Sequence, residues 1–150
     1  MSDDLHDGWF GESIAAGYDD PTDPCNDPHT IARTVDLLAE LADGGPALEL
    51  AVGTGRIAAP LAERGVVVHG IELSRAMAGR LADKPGGERV AVTIGDMTTT
   101  RVPGEFTVAY LVFNTLNNLT TQDDQVRAFT NAAAHLRPGG RFVVEVGIPP

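Results

Sequence analysis

Leu48-Glu49-Leu50-Ala51-Val52-Gly53-Thr54-Gly55-Arg56 is the stretch on which the fold turns. The apolar run Ala47–Val52 ends in two glycines one residue apart, and Arg56–Arg64 follows at helical spacing until Gly65 closes it. A strand that enters a glycine bend and leaves as a helix presents the free N–H groups of that helix at the bend, where backbone without Cβ lets a ligand come close. Gly53-Thr54-Gly55-Arg56-Ile57-Ala58 also satisfies the G-x-G-x-x-G/A spacing of dinucleotide sites, in which pyrophosphate rests on the helix N-terminus.

The same alternation continues downstream. Val66–Ile71 predicts a buried strand, and Ser74 predicts the cap of a helix running to Lys84. Pro85-Gly86-Gly87 reads as a turn, Val90–Ile94 as a third strand and Phe106–Phe113 as a fourth. Gln122–Leu136 predicts a helix broken by Pro138-Gly139-Gly140, and Phe142–Val146 a fifth strand. Upstream, Asp27 and Pro28 suit the N-cap and first position of a helix, with Ile31, Val35, Leu38 and Leu41 on one face and Gly44-Gly45 as the stop. Near-continuous Val/Ile/Leu strands separated by helices mean an α/β fold: a doubly wound, mostly parallel open sheet of five strands with helices on both faces. Phe142–Val146 would be an apolar edge, which proteins avoid leaving bare. The expectation is a domain cut at a strand end or an edge covered by a second subunit, with a self-sufficient five-strand sheet as the third option.

Composition bounds the rest. The chain has 150 residues, enough for one core, and divides into an acidic head, 1–27, and an α/β body, 28–150. The formal net charge is −10, and the head alone carries eight acids with no Lys or Arg. The body, with thirteen acids against eleven bases, is nearly balanced, so neither part has the basic stripe that nucleic-acid binding needs. The head holds a short helix at about Phe10–Tyr18, then the loop chemistry of Asp19–Pro28, and reads as a solvated segment or a lid. The longest apolar run, Val108–Phe113, is far short of the ~20 residues of a membrane span. Met1–Phe10 lacks the pattern of a secretory signal, and Cys25 is alone, so a cytoplasmic protein without disulfide or cysteine-rich metal site is expected.

Open parallel sheets bind ligands outside the carboxyl ends of their strands, where the strand order reverses. The residues at those tips form a set: Glu49–Gly55, Glu72, Asp96, Asn114 and Glu145. Glu72, in Gly70-Ile71-Glu72-Leu73-Ser74, suits the vicinal hydroxyls of a ribose, or else is a solvated strand-end acid. Asp96, in Gly95-Asp96-Met97, suits the exocyclic amine of adenine with Met97 against the ring, or else makes an Asx turn.

In their order and spacing these pieces resemble the class I methyltransferases that use S-adenosylmethionine. The resemblance runs from Tyr18-Asp19 through Leu48–Arg56, Gly70–Ser74 and Gly95–Met97 to Leu136-Arg137-Pro138-Gly139-Gly140-Arg141-Phe142. It implies a Rossmann-like methyltransferase fold and a site in which Glu49, Ala51, Gly53 and Gly55 hold the methionine part of the cofactor. It places Glu72 on the ribose, Leu73 against adenine, and Asp96 and Met97 at the adenine edge. Tyr18 corresponds to a head tyrosine that closes over the cofactor, and Phe113 and Asn114 fall where cofactor and acceptor meet. Two departures stand out: Ala51 occupies a position where many members have glycine, and the two strands that usually follow the fifth are missing.

The implied reaction is in-line transfer of a methyl group to a small-molecule acceptor, with neither nucleic acid nor membrane as partner, and proximity supplies much of the rate. No catalytic residue is assigned. Glu145 faces the cleft or pairs locally, His69 reads as a core residue, His135 suits a helix C-terminus, and His6 and His29 lie near the head. An NAD-dependent oxidoreductase would use Gly53–Ala58 and Glu72 but leave Glu49, Asp96 and Leu136–Phe142 unexplained. A non-catalytic module binding an adenosyl ligand is the third reading.

Overall fold

The computed structural model describes residues 12–20, 22–23, 26–113 and 115–147. In chain order these form α1 (Glu12–Tyr18), α2 (Pro28–Ala42), β1 (Ala47–Leu50), α3 (Ala58–Glu63), β2 (Val68–Glu72), α4 (Arg75–Ala82), β3 (Ala91–Ile94), β4 (Phe106–Leu111), α5 (Gln122–His135) and β5 (Leu136–Val144). The sheet order is β3-β2-β1-β4-β5. Every pair is parallel. The order reverses between β1 and β4, so the doubly wound expectation holds and a crevice opens beyond the carboxyl ends of those two strands.

The helices start where local chemistry starts them. The Asp27 side chain accepts from Thr30 N, that of Ser74 from Met77 N and that of Thr121 from Asp124 N, each satisfying an otherwise orphaned N–H. Alternate residues of the strands feed two cores. Ala47, Val68, Val108 and Tyr110 pack with Val35, Leu38 and Ala42 of α2 and with Ala58, Ala59, Leu61 and Ala62 of α3. Leu48, Leu50, Ile71, Phe106, Ala109 and Leu111 pack on the other face with Ala132 of α5. β1 and β4 are buried along their whole length, as strands covered on both faces must be.

The fifth strand corrects the sequence reading. Pro138-Gly139-Gly140 does not separate helix from strand: β5 begins at Leu136, directly after α5, and ends at Val144. Its pairing jumps from Phe106↔Leu136 to Val108↔Arg141, so the turn residues lie inside the strand as an irregularity. A bulge tolerates Pro and Gly there because those residues are left out of the ladder. Val126, Phe129 and Val146 remain exposed near this edge, with Phe129 stacked edge-on against Phe142 at 5.1 Å. Among the described residues no helix is long and apolar enough to cross a membrane.

Candidate functional site

A cleft of about 550 Å³ lies at the carboxyl end of the sheet, within the range of roughly 300–1,000 Å³ usual for small-molecule sites. Its wall includes Tyr18, Ala51, Gly53, Glu72, Leu73, Asp96 and Met97, all singled out in the sequence. Glu49, Gly55 and Phe113 are not in that wall, and Asn114 lies outside the described residues. Ile71, Met77, Gly95, Thr115, Asn118 and Leu119 complete it. Thr115–Asn118 is one short 3₁₀ turn, and no motif in the sequence marked it.

Glu72 organises the centre. It is buried at the tip of β2, and its two carboxylate oxygens accept separately, Oε1 from Gly53 N at 2.7 Å and Oε2 from Ser74 N at 2.9 Å. The acid therefore clamps the glycine bend to the start of α4, and the reading of Glu72 as a merely solvated acid fails. Gly53 has φ +62, and a Cβ there would stand 3.5 Å from Met77 Cε and 3.9 Å from a Tyr18 ring carbon, in the space of the cleft. Gly55 serves packing instead: at φ +78 its Cβ would collide with the Leu81 side chain.

Glu49 lies beneath the bend. β1 and β4 pair Glu49 with Tyr110, both buried. Burial pushes the Glu49 carboxyl well above its ordinary 4.5, the nearby Tyr110 hydroxyl opposes this, Glu72 adds to it and Arg56 opposes it. Burial and Glu49 together push the Tyr110 hydroxyl well above its own ordinary value of 10.0. Glu49 Oε1 and Tyr110 Oη have no hydrogen-bond partner among the described residues.

The head is tied onto the bend. Asp19 Oδ1 accepts from Thr54 Oγ1 at 2.7 Å and from Lys84 Nζ at 2.9 Å, and Lys84 Nζ also reaches Thr54 Oγ1 at 3.1 Å. The Arg56 guanidinium sits 4.6 Å from the Tyr18 ring centre and 5.1 Å from that of Phe113, a cation held between two aromatic faces. Arg56 and Lys84 were not among the site residues read from sequence. Their partners are 38 and 65 residues away, beyond any local pattern.

Asp96 makes an Asx turn and stands in the cleft wall: its Oδ1 accepts from Thr98 N at 2.8 Å and Thr98 Oγ1 at 2.7 Å. Glu145 lies just past β5, and its Oε1 accepts from Phe113 N at 2.9 Å, so it braces the tip of β4. Phe113 needs that support, because it has φ +59, as Ala51 has φ +58. His69 is half-buried rather than enclosed and bonds Thr93 Oγ1 at 2.8 Å. His135 at the end of α5 is buried, and its ring nitrogens face Val102 N and Asn131 O.

The family described as Methyltransferase domain matches residues 47–140. Protein YqeM of Bacillus subtilis (strain 168) is 33% identical over 110 residues, covering 72% of this chain and 44% of that protein. The CcbJ methyltransferase from Streptomyces caelestis superposes with TM-score 0.81 at 37% identity, over 90% of this chain and 56% of its own. The glycopeptide N-methyltransferase MtfA, in complex with S-adenosyl-L-methionine, superposes with TM-score 0.66 at 28% identity, over 76% of this chain and 53% of its own. The chain thus spans about half the length of the proteins it matches. With the parallel sheet, the clamped glycine bend and this match together, the chain belongs to the class I S-adenosylmethionine-dependent methyltransferase family.

Proposed function

We propose that this chain binds S-adenosylmethionine in the cleft at the carboxyl end of the sheet and serves methyl transfer to a small-molecule acceptor, with the 1–27 head acting as its lid. One observation carries the reading: the buried Glu72 carboxylate, held by Gly53 N and Ser74 N, stands at a bend whose glycine leaves open the space a side chain would take. A carboxylate in that place suits two neighbouring ribose hydroxyls. Glu49 lies beneath the bend rather than in the cleft wall, and its assignment to the methionine part of the cofactor rests on the family match. Asp96 Oδ2 accepts no hydrogen bond among the described residues, which leaves it for the adenine amine, with Met97 and Leu73 against the ring.

When bound, S-adenosylmethionine supplies a methyl group already activated on a sulfonium centre. The chain's own work is positional. Glu72 and the bend, Tyr18 at the end of α1, and the Thr115–Asn118 turn with Leu119 line the cleft together. Holding two reactants in line removes much of the entropic barrier, so a protein that positions well needs no elaborate acid or base. Glu145, engaged with Phe113 N, supports that geometry. One structural relative is a glycopeptide N-methyltransferase, which makes nitrogen acceptors the first class to try.

The test is thermal. S-adenosylhomocysteine at one hundred times its dissociation constant should stabilise the fold by about 2.7 kcal/mol, and NAD should not. Glu72→Gln should lose that stabilisation. A rise in melting temperature with NAD and none with S-adenosylhomocysteine would overturn the reading.

A further inference from the structure

We propose that Asn131 and His135 of α5 are positioning residues that hold the adenine-facing wall of the cleft from behind; the proposal rests on the cofactor reading above. The wall is the segment after β3, where Gly95, Asp96 and Met97 face the cleft. That segment is one tight turn, with Asp96 O accepting from Thr99 N at 3.1 Å and from Thr100 N at 2.8 Å. Its far side docks on α5. Asn131 Nδ2 donates to Met97 O at 2.9 Å and to Thr100 O at 2.9 Å, bridging the two ends of the turn. His135 fixes the way out: its Nδ1–H donates to the Asn131 carbonyl at 2.7 Å, which leaves Nε2 as the acceptor for Val102 N at 3.0 Å.

The burial of these groups argues for this purpose. Asn131 is 1% exposed and His135 3%, on the face of a helix that otherwise buries alanines. Neither residue is a strong helix former, and a buried amide is costly unless bonded. Asn131 Oδ1 has no partner among the described residues, so the amide is retained for its NH₂ group, and that group goes wholly to the wall. A helix 34 residues away in sequence from Met97 thereby sets where Met97 and Asp96 stand relative to Glu72.

Hydrogen exchange and ligand affinity together test this on the full chain. Asn131→Ala should raise the dissociation constant for S-adenosylhomocysteine about tenfold. It should also speed exchange of the amides from Thr98 to Val102 while leaving those of β1 and β2 unchanged. His135→Gln, which keeps an acceptor toward Val102, should bind better than His135→Leu, and this pair carries the comparison if Asn131→Ala does not fold. Ala128→Gly weakens the same helix without a polar link to the wall and should leave affinity near wild type. The positioning role is overturned if Asn131→Ala costs no more affinity than Ala128→Gly, if exchange rises uniformly, or if the two His135 variants bind alike. Wild-type protein that binds no S-adenosylhomocysteine would instead remove the cofactor reading, and this role with it, before any substitution is made.

Discussion

Glu49 is the residue at which fold stability and the proposed cofactor site are set against each other. An acid whose folded-state pKa is raised contributes most when it is protonated. Its contribution is therefore full below about 4.5, falls as pH rises from there to the folded value, and stays low above it. Glu49→Gln should make the ligand-free protein more stable at neutral pH and flatten its stability profile above pH 4.5. The same change should weaken S-adenosylhomocysteine about tenfold or more, since a bond to a charged group is worth roughly 1.5–3 kcal/mol. Urea melts across pH with and without ligand check both halves. Ala51 is the second case. At φ +58 its Cβ costs about 1–2 kcal/mol, only partly offset by the greater unfolded-state freedom of glycine. Ala51→Gly should stabilise the chain by about 0.5–1 kcal/mol in a denaturant titration. The spacing of glycines and acids made Glu49, Gly53, Glu72 and Asp96 legible as a set. It did not separate the roles of the two glycines, because only the position of Leu81 makes Gly55 a packing residue.

At the scale of elements, the head and the fifth strand are the instructive parts. α1 reaches the bend through Asp19, Thr54 and Lys84, and the Asp19–Lys84 pair is partly exposed, with side chains 37% and 26% accessible. Such a pair is worth only about 0.5–1 kcal/mol, so Lys84→Met should free the head without unfolding the body. Limited proteolysis within residues 19–27 should accelerate while the core melting temperature moves little, and salt should produce the same effect in the wild type. Tyr18 was marked in the sequence, but its cationic partner Arg56 was not, since the guanidinium reaches it only after the chain folds back. In β5 the Pro138-Gly139-Gly140 punctuation predicts a break. The ladder with β4 absorbs it as an irregularity, since hydrogen bonding on either side outweighs local turn preference.

Across the whole molecule, pH acts through the packed rings His69–Phe106–His135, with centre distances of 6.5 and 6.1 Å. Burial, and then the neighbouring His135, holds His69 below its ordinary 6.5. Because the folded form disfavours the proton, this contribution is complete above pH 6.5 and is lost as pH falls through the folded value. The His69 contribution should therefore fall on acidification from pH 6.5, opposite in sign to that of Glu49, and His69→Gln should remove that limb in thermal melts. The sequence by itself determined the α/β alternation, the parallel sheet, the helix caps at Asp27 and Ser74 and the strand-tip acids, because periodicity and capping are local properties of the chain. Only the tertiary structure decided that Glu72 clamps Gly53 to Ser74, that Arg56 lies between Tyr18 and Phe113, and that Asn131 holds Met97 and Thr100. Those contacts join residues that β-strand order and helix packing bring together, and no spacing along the chain encodes the distance between them.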